Sequence, residues 1–425
     1  MSGLSVAIAG FIAFAALFAF NWSRARSWLD PAVTISAVWA VTFVFLAIAG
    51  DQLYGVSWTA LLIYVCGLAM FSLGVLLGKG IPVHARKPST YGYRSDRVIL
   101  WLFFLILSLG VPFYLAYIRQ FSSATLFSPA FFVEIRQGML EQSSDLARVP
   151  VVNNLVVLSS IAAVLAFALS ESLRRWRLLV GGIIVLAFFY NLLTGAKGGV
   201  IGLLVMLFVI HSMQRGRLPK VALFITLGLS VVFFGVVTVA RVQGATGGYV
   251  SLASAAHTTL QQLGNYLASG PVGFSVYLDH PQSVPAVWSP WRFFERTANY
   301  FGNYFDVPDS NAAFVQIGNG LHYNTYTAFF SYFPPYGLSG VAGFMLALGA
   351  MAGAVYRRAR QQRLLWLLLY ASIFYGVLMT IFTESLLLAL NPIMKLLMVA
   401  AAVVALRRLR FRRGSTDVAI AQSRA

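Results

Sequence analysis

The sequence predicts an all-α polytopic membrane protein with about eleven transmembrane helices, and three observations support that class. Hydrophobic residues make up 59% of the 425 residues and charged residues only 10%, whereas soluble domains carry about 25% charged residues. Apolar runs of about 20 residues, the length that crosses a bilayer, recur along the chain. The basic residues fall mainly at alternate connections between these runs.

The apolar runs are continuous, which favours helices over barrel strands. In hydrocarbon every backbone N–H and C=O needs a partner, so only helices and closed barrels can cross. Barrel strands alternate polar and apolar residues over about 10 positions, and runs such as VVNNLVVLSSIAAVLAFALS do not. The predicted spans are 3–21, 32–50, 58–78, 98–117, 151–170, 178–194, 199–213, 221–240, 336–356, 364–383 and 386–406.

The basic residues predict the orientation of the chain. Cytoplasmic connections carry an excess of Lys and Arg, and the connections after the odd-numbered spans hold all but eight of the 31. We therefore expect an outward N-terminus, a single transmembrane domain over 1–406, a basic cytoplasmic tail over 407–425, and outward loops at 118–150 and 241–335. The eight exceptions are Arg119, Arg136, Arg148, Lys197, Arg241, Arg292, Arg296 and Lys395.

This topology accounts for the net charge of +18. Anionic membrane lipids are therefore the expected partners of the basic loops, and nucleic acid is not. The first apolar run has no charged residue before it, so we expect a retained helix rather than a cleaved signal. The lone cysteine, Cys66, can form no internal disulfide and belongs to no metal motif, and the sequence predicts no metal or cofactor.

The outward side is poor in positive charge, so the cations predicted there are candidates for function. Lys197 lies in the Gly-rich turn NLLTGAKGG, and Arg241 follows span 8. Arg292 and Arg296 are four residues apart in WRFFERTANY and would share one face of a helix. Such cations suit a phosphate or diphosphate, which Arg binds bidentately. The alternatives are snorkelling to the interface and pairing with Glu295.

Two further positions carry groups that could take part in chemistry. His322 precedes NTYTAFFSYFPPYG and is a candidate general base, or else a structural histidine. Glu384 and Lys395 are predicted near or within the bilayer, where ionisable residues are usually functional. The alternative for these two is an ion pair that joins two helices. The rival bases are Asp279, Glu295, Asp306, Asp309 and Glu384.

The loop 241–335 is long for a connection, and long ordered loops are usually functional. It contains two helix-like pieces, at 251–269 and 289–305. The second piece is rich in aromatic residues, which suit the membrane–water interface and also suit stacking on sugar rings.

Three segments resemble the bacterial O-antigen and oligosaccharide repeat-unit polymerases of the Wzy type. The turn NLLTGAKGGVIGLLV is similar to the family's LTGSRG turn, with Lys197 in place of Arg. TVARVQG is similar to the segment whose Arg opens the large loop, here Arg241. The third segment is HYNTYTAFFSYFPPYGLSGV. It matches the family at Asn324, Tyr326, Thr327, Gly337 and Gly340.

The chain departs from the family pattern at two positions. Tyr336 stands where many relatives have an aspartate, and Phe329 stands where a basic residue often follows the YT pair. If those two roles exist here, other residues must fill them, with Arg292, Arg296 and His322 as candidates.

The resemblance implies a glycosyltransferase of GT-C-like architecture in the bacterial inner membrane, with its active site facing the periplasm. Such an enzyme joins oligosaccharide repeat units carried on undecaprenyl diphosphate, which is released. It needs no cofactor, and a chain-length regulator is a further candidate partner. On this reading Arg241 and His322 are catalytic, and Lys197, Arg292, Arg296, Asn324, Tyr326 and Glu384 bind substrate.

Two other functions remain open at this point. An O-antigen ligase shares the many spans and the large loop with its histidine, but transfers the glycan to lipid A–core. A transporter or flippase of lipid-linked sugar would move the same substrate without forming a bond, although such proteins tend to show internal repeats, which this sequence lacks.

Overall fold

The computed structural model describes residues 2–49, 52–82, 93–142, 151–170, 176–246, 251–283, 289–299, 301–302, 304–307 and 314–422. Fourteen α-helices and one β-hairpin occur in these ranges. The helices are α1 (Ser2–Ala25), α2 (Pro31–Ala49), α3 (Trp58–Gly80), α4 (Tyr93–Ile118), α5 (Pro129–Gln142), α6 (Asn154–Leu169), α7 (Arg177–Leu193), α8 (Lys197–Arg215), α9 (Lys220–Thr246), α10 (Leu252–Asp279), α11 (Arg292–Asn299), α12 (Phe333–Ala359), α13 (Leu364–Met379) and α14 (Leu390–Gln422). The strands are β1 (Val315–Gly318) and β2 (Leu321–Tyr323).

The helical membrane class is confirmed. Among the described residues, seven helices are long and apolar enough to cross a membrane, namely α1, α2, α3, α4, α8, α9 and α12. The other four predicted spans coincide with the shorter apolar helices α6, α7, α13 and the first part of α14. The number of crossings and their direction stay predictions. Helix α14 continues to Gln422, so the predicted tail begins inside a helix.

The described parts of the segment 241–335 contain more regular structure than a surface connection does. Arg241 lies inside α9, which continues to Thr246. The helix-like piece 251–269 is helical, as predicted, but α10 runs on to Asp279 through Pro271. Residues 268–275 are all buried, because α10 packs against α2, α3 and α9. The small residues of ASGPVGFS permit this close packing.

Among the described residues of the second helix-like piece, 289–305, the helix covers only α11, and the β-hairpin follows later in the chain. The hairpin joins the connection between α2 and α3, because the Tyr54 N–H donates to the Ile317 carbonyl at 2.7 Å. This contact brings two predicted outward connections together.

Contacts at the two ends of α3 show which of the other connections lie together. At its first end, the Ser57 N–H donates to Ser275 Oγ of α10 at 2.9 Å. At its last end, Lys79 forms an ion pair with the buried Asp30, and Arg357 donates to the Lys79 carbonyl. Connections that the charge rule assigns to the same side therefore meet at the same end of α3.

Among the described residues, helices α3 and α12 have the most extensive contact of any helix pair. Gly74 and Gly78 of α3 face the carbonyl groups of Leu346 and Ala350, so closely that any Cβ would overlap them. Reciprocally, the α12 glycines at 349 and 353 face carbonyls of α3. Small residues four apart on both helices let backbones approach in lipid, where packing rather than the hydrophobic effect drives association.

We expect Gly349→Ala to destabilise the protein by about 1–3 kcal/mol, the usual cost of overpacking, because its Cβ would overlap the Phe71 carbonyl. Gly343→Ala is the matched control, since nothing lies within 4 Å of a Cβ at that position of the same helix. The measurement is thermal unfolding of both purified variants in detergent. Equal loss of stability in the two variants would contradict the proposed helix contact.

Candidate functional site

The turn between α7 and α8 is shaped by Gly195. Its φ of +61° lies in the left-handed region, which glycine enters without a Cβ penalty. The Thr194 hydroxyl donates to the Asn191 carbonyl at 2.7 Å and accepts from the Ala196 N–H at 3.1 Å. The turn therefore ends α7 and begins α8 at Lys197.

Lys197 is held in an electrostatically unfavourable place. It is the first residue of α8, where the helix dipole disfavours a cation. Its ammonium donates to Thr238 Oγ1 at 2.6 Å and lies 3.7 Å from the centre of the Phe234 ring. A hydrogen bond and a cation–π contact stabilise the charge there. A cation–π contact typically contributes about 0.5–2 kcal/mol.

Arg241 binds the same turn from α9. One guanidinium nitrogen donates to the Gly195 carbonyl. Its Nε is buried and has no hydrogen-bond partner among the described residues. Lys197 is close enough to Arg241 for their positive charges to repel each other. The structure thus makes neighbours of two cations that the sequence singled out separately.

A third cation, Arg136 of α5, joins them. Its charge acts on Arg241, and Tyr266 lies near both guanidinium groups. Burial lowers the pKa of Arg136 and Tyr266 raises it, and a guanidinium group stays charged at neutral pH. We call Arg136, Lys197 and Arg241 the cationic cluster.

Close packing of α5 against α9 positions Arg136. A Cβ at Gly244 would lie 2.6 Å from the Pro129 carbonyl oxygen, so glycine is required for this approach. Glu134, on the same helix, accepts a hydrogen bond from Ser122 at 2.7 Å. Sequence reasoning had counted Arg136 among the eight exceptional cations but not among the site residues.

The cationic cluster lacks an anionic partner in the part of the chain that the structure describes. No Asp or Glu there forms an ion pair with any of its three members. Like charges that are partly removed from water repel each other more strongly than they do in solution. A multiply charged anion bound among the three cations would reduce this repulsion. It could also accept a hydrogen bond from the buried Arg241 Nε–H.

Tyr266 of α10 connects the cationic cluster to the third singled-out segment. Its ring centre lies 5.4 Å from the Lys197 ammonium, 5.3 Å from the Tyr323 ring and 5.9 Å from the Phe382 ring. The three segments that carry the sequence resemblance therefore meet around one tyrosine that none of them contains.

The segment 324–328 is paired with the connection between α13 and α14. The Tyr326 N–H donates to the Phe382 carbonyl at 3.1 Å, and the Ala328 N–H donates to Thr380 at 2.8 Å. Tyr326 is buried and stacks on Phe330 at 4.5 Å. Asn324, half-buried, lies directly before this paired stretch.

Thr327 is strained within that stretch. Its φ of +66° is rare for a β-branched residue, and such a conformation costs about 1–3 kcal/mol. Its hydroxyl is buried and has no hydrogen-bond partner among the described residues. Backbone strain of this kind tends to occur at functional sites.

His322 lies on the exposed face of the β-hairpin. It pairs across the hairpin with Gln316, which is also exposed. Adjacent residues of a strand point to opposite faces, and Tyr323 occupies the buried face next to Tyr266. His322 therefore lies on the exposed face of the hairpin, opposite the face that contacts Tyr266.

Glu384 is engaged by the backbone. Its two carboxylate oxygens accept four hydrogen bonds of 2.7–3.0 Å from the N–H groups of Leu386, Leu387 and Leu388. Burial raises the pKa of this carboxyl, and the backbone donors and Tyr332 lower it. Glu384 thus shapes the connection that pairs with 324–328.

The ion pair considered between Glu384 and Lys395 is wrong, because Lys395 donates instead to Asn154 Oδ1 at 2.8 Å. The sequence suggested opposite charges as partners, whereas the nearest donors to Glu384 are main-chain N–H groups. The physical reason is that a carboxylate at the start of a turn can be satisfied locally, without a cation.

Arg292 and Arg296 both lie on α11, so the predicted helix and their shared side are confirmed. Arg292 is buried and Arg296 is half-buried. Glu295 accepts a hydrogen bond from Ser289 Oγ at 2.6 Å. Of the other rival bases, Asp279 and Asp306 are exposed, and Asp309 lies outside the described residues.

No family model, curated protein or solved structure matches the chain.

We expect Gly244→Ala to push α5 away from α9, because its Cβ would lie 2.6 Å from the Pro129 carbonyl oxygen. Gly228→Ala on the same helix is the control, since nothing lies within 4 Å of a Cβ there. Spin labels at the exposed positions Ala130 and Val236, introduced as cysteines after Cys66→Ala, would report the distance. A distribution that is longer or broader only in Gly244→Ala is expected, and identical distributions in the two variants would refute the contact.

Proposed function

We propose that this protein is a polysaccharide polymerase that joins oligosaccharide repeat units carried on undecaprenyl diphosphate, at the periplasmic face of the inner membrane. The observation that carries the proposal is the convergence of Arg136, Lys197 and Arg241 at one end of the bundle, without an acidic partner among the described residues. A diphosphate is the anion that best fits three neighbouring cations.

The location of the cationic cluster suits a lipid-linked diphosphate. Lys197 and Arg241 belong to α8 and α9, both candidate membrane spans. The lipid-exposed side chains of α9 include Val231, Val232 and Val236. A polyprenyl tail could therefore remain in lipid along this helix while its diphosphate reaches the cationic cluster.

The chemistry requires stabilisation of a leaving anion. The bond between the anomeric carbon of the growing chain and the diphosphate oxygen breaks, and a hydroxyl of the incoming repeat unit forms the new glycosidic bond to that carbon. The electron pair stays on the diphosphate, and the hydroxyl proton goes to a base. Electrostatic stabilisation of such developing charge is usually the largest catalytic contribution.

The other proposed roles follow from position. His322 is the proposed base, because its exposed side chain can meet an acceptor sugar that arrives from the aqueous side. Asn324, Tyr326, Arg292 and Arg296 stay proposed substrate-binding residues. Glu384 is reassigned from substrate binding to positioning, because the main chain occupies both of its oxygens.

The ligase and flippase alternatives are separated by the product. Purified protein in liposomes, supplied with lipid-linked repeat units and no lipid A–core, should produce polymer on undecaprenyl diphosphate. Product that appears only when lipid A–core is added would indicate a ligase. Transbilayer movement of the substrate without a new glycosidic bond would indicate a flippase.

We expect Arg241→Ala to abolish polymer formation while the protein still inserts in the membrane, because the leaving diphosphate loses a cation. Arg241→Lys should retain part of the activity through its charge. Arg119→Ala is the control, since Arg119 is an exposed cation that binds its own loop at the Ala124 carbonyl. The readout is chain length on silver-stained lipopolysaccharide gels, and long chains from Arg241→Ala would rule out the role of Arg241.

We expect His322→Ala to slow turnover of purified lipid-linked repeat units by about 10²–10⁴-fold, the usual contribution of a general base. Its cross-strand neighbour supplies the control, because Gln316→Ala alters the same exposed face without removing a titratable group. Unchanged turnover in His322→Ala would move the role of base to a carboxylate.

A further inference from the structure

Five exposed aromatic side chains lie directly before, on and after α11. Trp291 and Phe294 are 46% and 52% exposed, and Phe301, Tyr304 and Phe305 are 82%, 67% and 51% exposed. We call these five residues the aromatic face. Apolar surface of this extent is unfavourable in water and usually marks an interaction site.

The aromatic face is held in shape by hydrogen bonds. The Asn299 side chain donates to the Phe305 carbonyl at 2.8 Å and accepts from the Tyr304 and Phe305 N–H groups at 3.1 and 3.0 Å. Trp291, directly before α11, and Phe294, in its first turn, have ring centres 6.2 Å apart. The aromatic exposure is therefore a property of an ordered segment.

This surface continues the outer surface of a candidate membrane span. Trp291 Nε1 donates to the Tyr336 hydroxyl at 3.0 Å, and its ring centre lies 5.7 Å from that of Phe344. Both partners belong to α12, which begins at Phe333 and qualifies as a span. Tyr336 and Leu338 are themselves 42% and 50% exposed.

The opposite side of α11 faces the protein. Arg292 is only 7% exposed, and Arg296, one turn further along the same side, is half-buried. Interfacial helices lie in the plane of the membrane with their apolar side in the lipid, and Trp and Tyr are enriched at that level.

We propose that the aromatic face is embedded in the interfacial layer of the lipid bilayer, at the end of the membrane where α12 begins. Helix α11 then lies parallel to the membrane surface and sets the depth of Arg292 and Arg296. This inference concerns the surrounding lipid and does not depend on the proposed reaction.

A glycan stacked on the rings is the alternative occupant of the aromatic face. The hydrogen-bonding groups nearby favour lipid instead. Sugar sites combine an aromatic ring with polar groups that bind the hydroxyls. Here the Trp291 indole N–H already donates to the Tyr336 hydroxyl. The Asn299 side-chain amide is already hydrogen-bonded to the main chain of its own turn. The neighbouring exposed surface of α12 includes the apolar Leu338, and the exposed Ser339 hydroxyl donates to the Tyr336 carbonyl.

The test places single nitroxide labels in the full-length protein after Cys66→Ala. Phe294→Cys and Phe301→Cys probe the aromatic face, and Gln316→Cys, at an exposed polar position of the β-hairpin, is the control. The labelled proteins are reconstituted in vesicles of phosphatidylethanolamine and phosphatidylglycerol. Electron paramagnetic resonance then compares the accessibility of each label to oxygen, which concentrates in lipid, and to a water-soluble nickel chelate.

We expect oxygen to dominate at positions 294 and 301 and the nickel chelate to dominate at 316. Nickel dominance at all three positions would overturn the proposal. Nickel dominance that disappears when soluble oligosaccharide is added would also overturn it, in favour of a glycan site.

A second measurement leaves both phenylalanines intact. Brominated lipids should quench the fluorescence of the unlabelled protein, and Trp291→Phe should remove a share of that quenching. Retention of the full quenching after Trp291→Phe would place Trp291 away from lipid and contradict the proposal.

Discussion

Repulsion among Arg136, Lys197 and Arg241 is the interaction that the surrounding structure has to offset. Each cation is held by a different element, so the cationic cluster exists only when α5, α8 and α9 are assembled. The contacts that hold it are a backbone carbonyl, a hydroxyl and an aromatic ring. These groups carry no negative charge, so the positive charge of the two arginines stays available to a ligand. An internal carboxylate would stabilise the fold more and remove that availability.

Much of the fold was predictable because hydrocarbon imposes a minimum apolar length on each crossing. All eleven predicted spans coincide with helices, of which seven meet the length and hydropathy of a span. The depth of α10 was not predictable in the same way. Its stretch ASGPVGFS is neither strongly apolar nor strongly polar, and its burial depends on Gly270 and Gly273 lying against the carbonyls of Ile381 and Thr325. Those partners are remote in sequence, so no local pattern indicates them.

The residues of the candidate site likewise divide into those that the sequence predicted and those that depend on tertiary contacts. Lys197 and Arg241 stood out because basic residues are scarce on the predicted outward side, which is a property of the sequence. The recruitment of Arg136 depends on a tertiary contact, the approach of Gly244 to α5. Tyr266 could not be identified from the sequence for a similar reason, because its importance comes from its position between the three segments that carry the resemblance. The partner of Glu384 was misjudged because charge patterns report side chains and never main-chain N–H groups.

The pairing of α3 with α12 has a consequence for biogenesis. Arg357 and its carbonyl partner at Lys79 are 278 residues apart in the chain. At roughly 5–20 residues per second, the ribosome needs about 14–56 s to make the second helix after the first. During that time the glycine-lined side of α3 has no α12 to cover it. The nascent protein must therefore remain competent for late assembly, and the glycines that close the finished bundle also define its period of greatest vulnerability to mispairing and proteolysis.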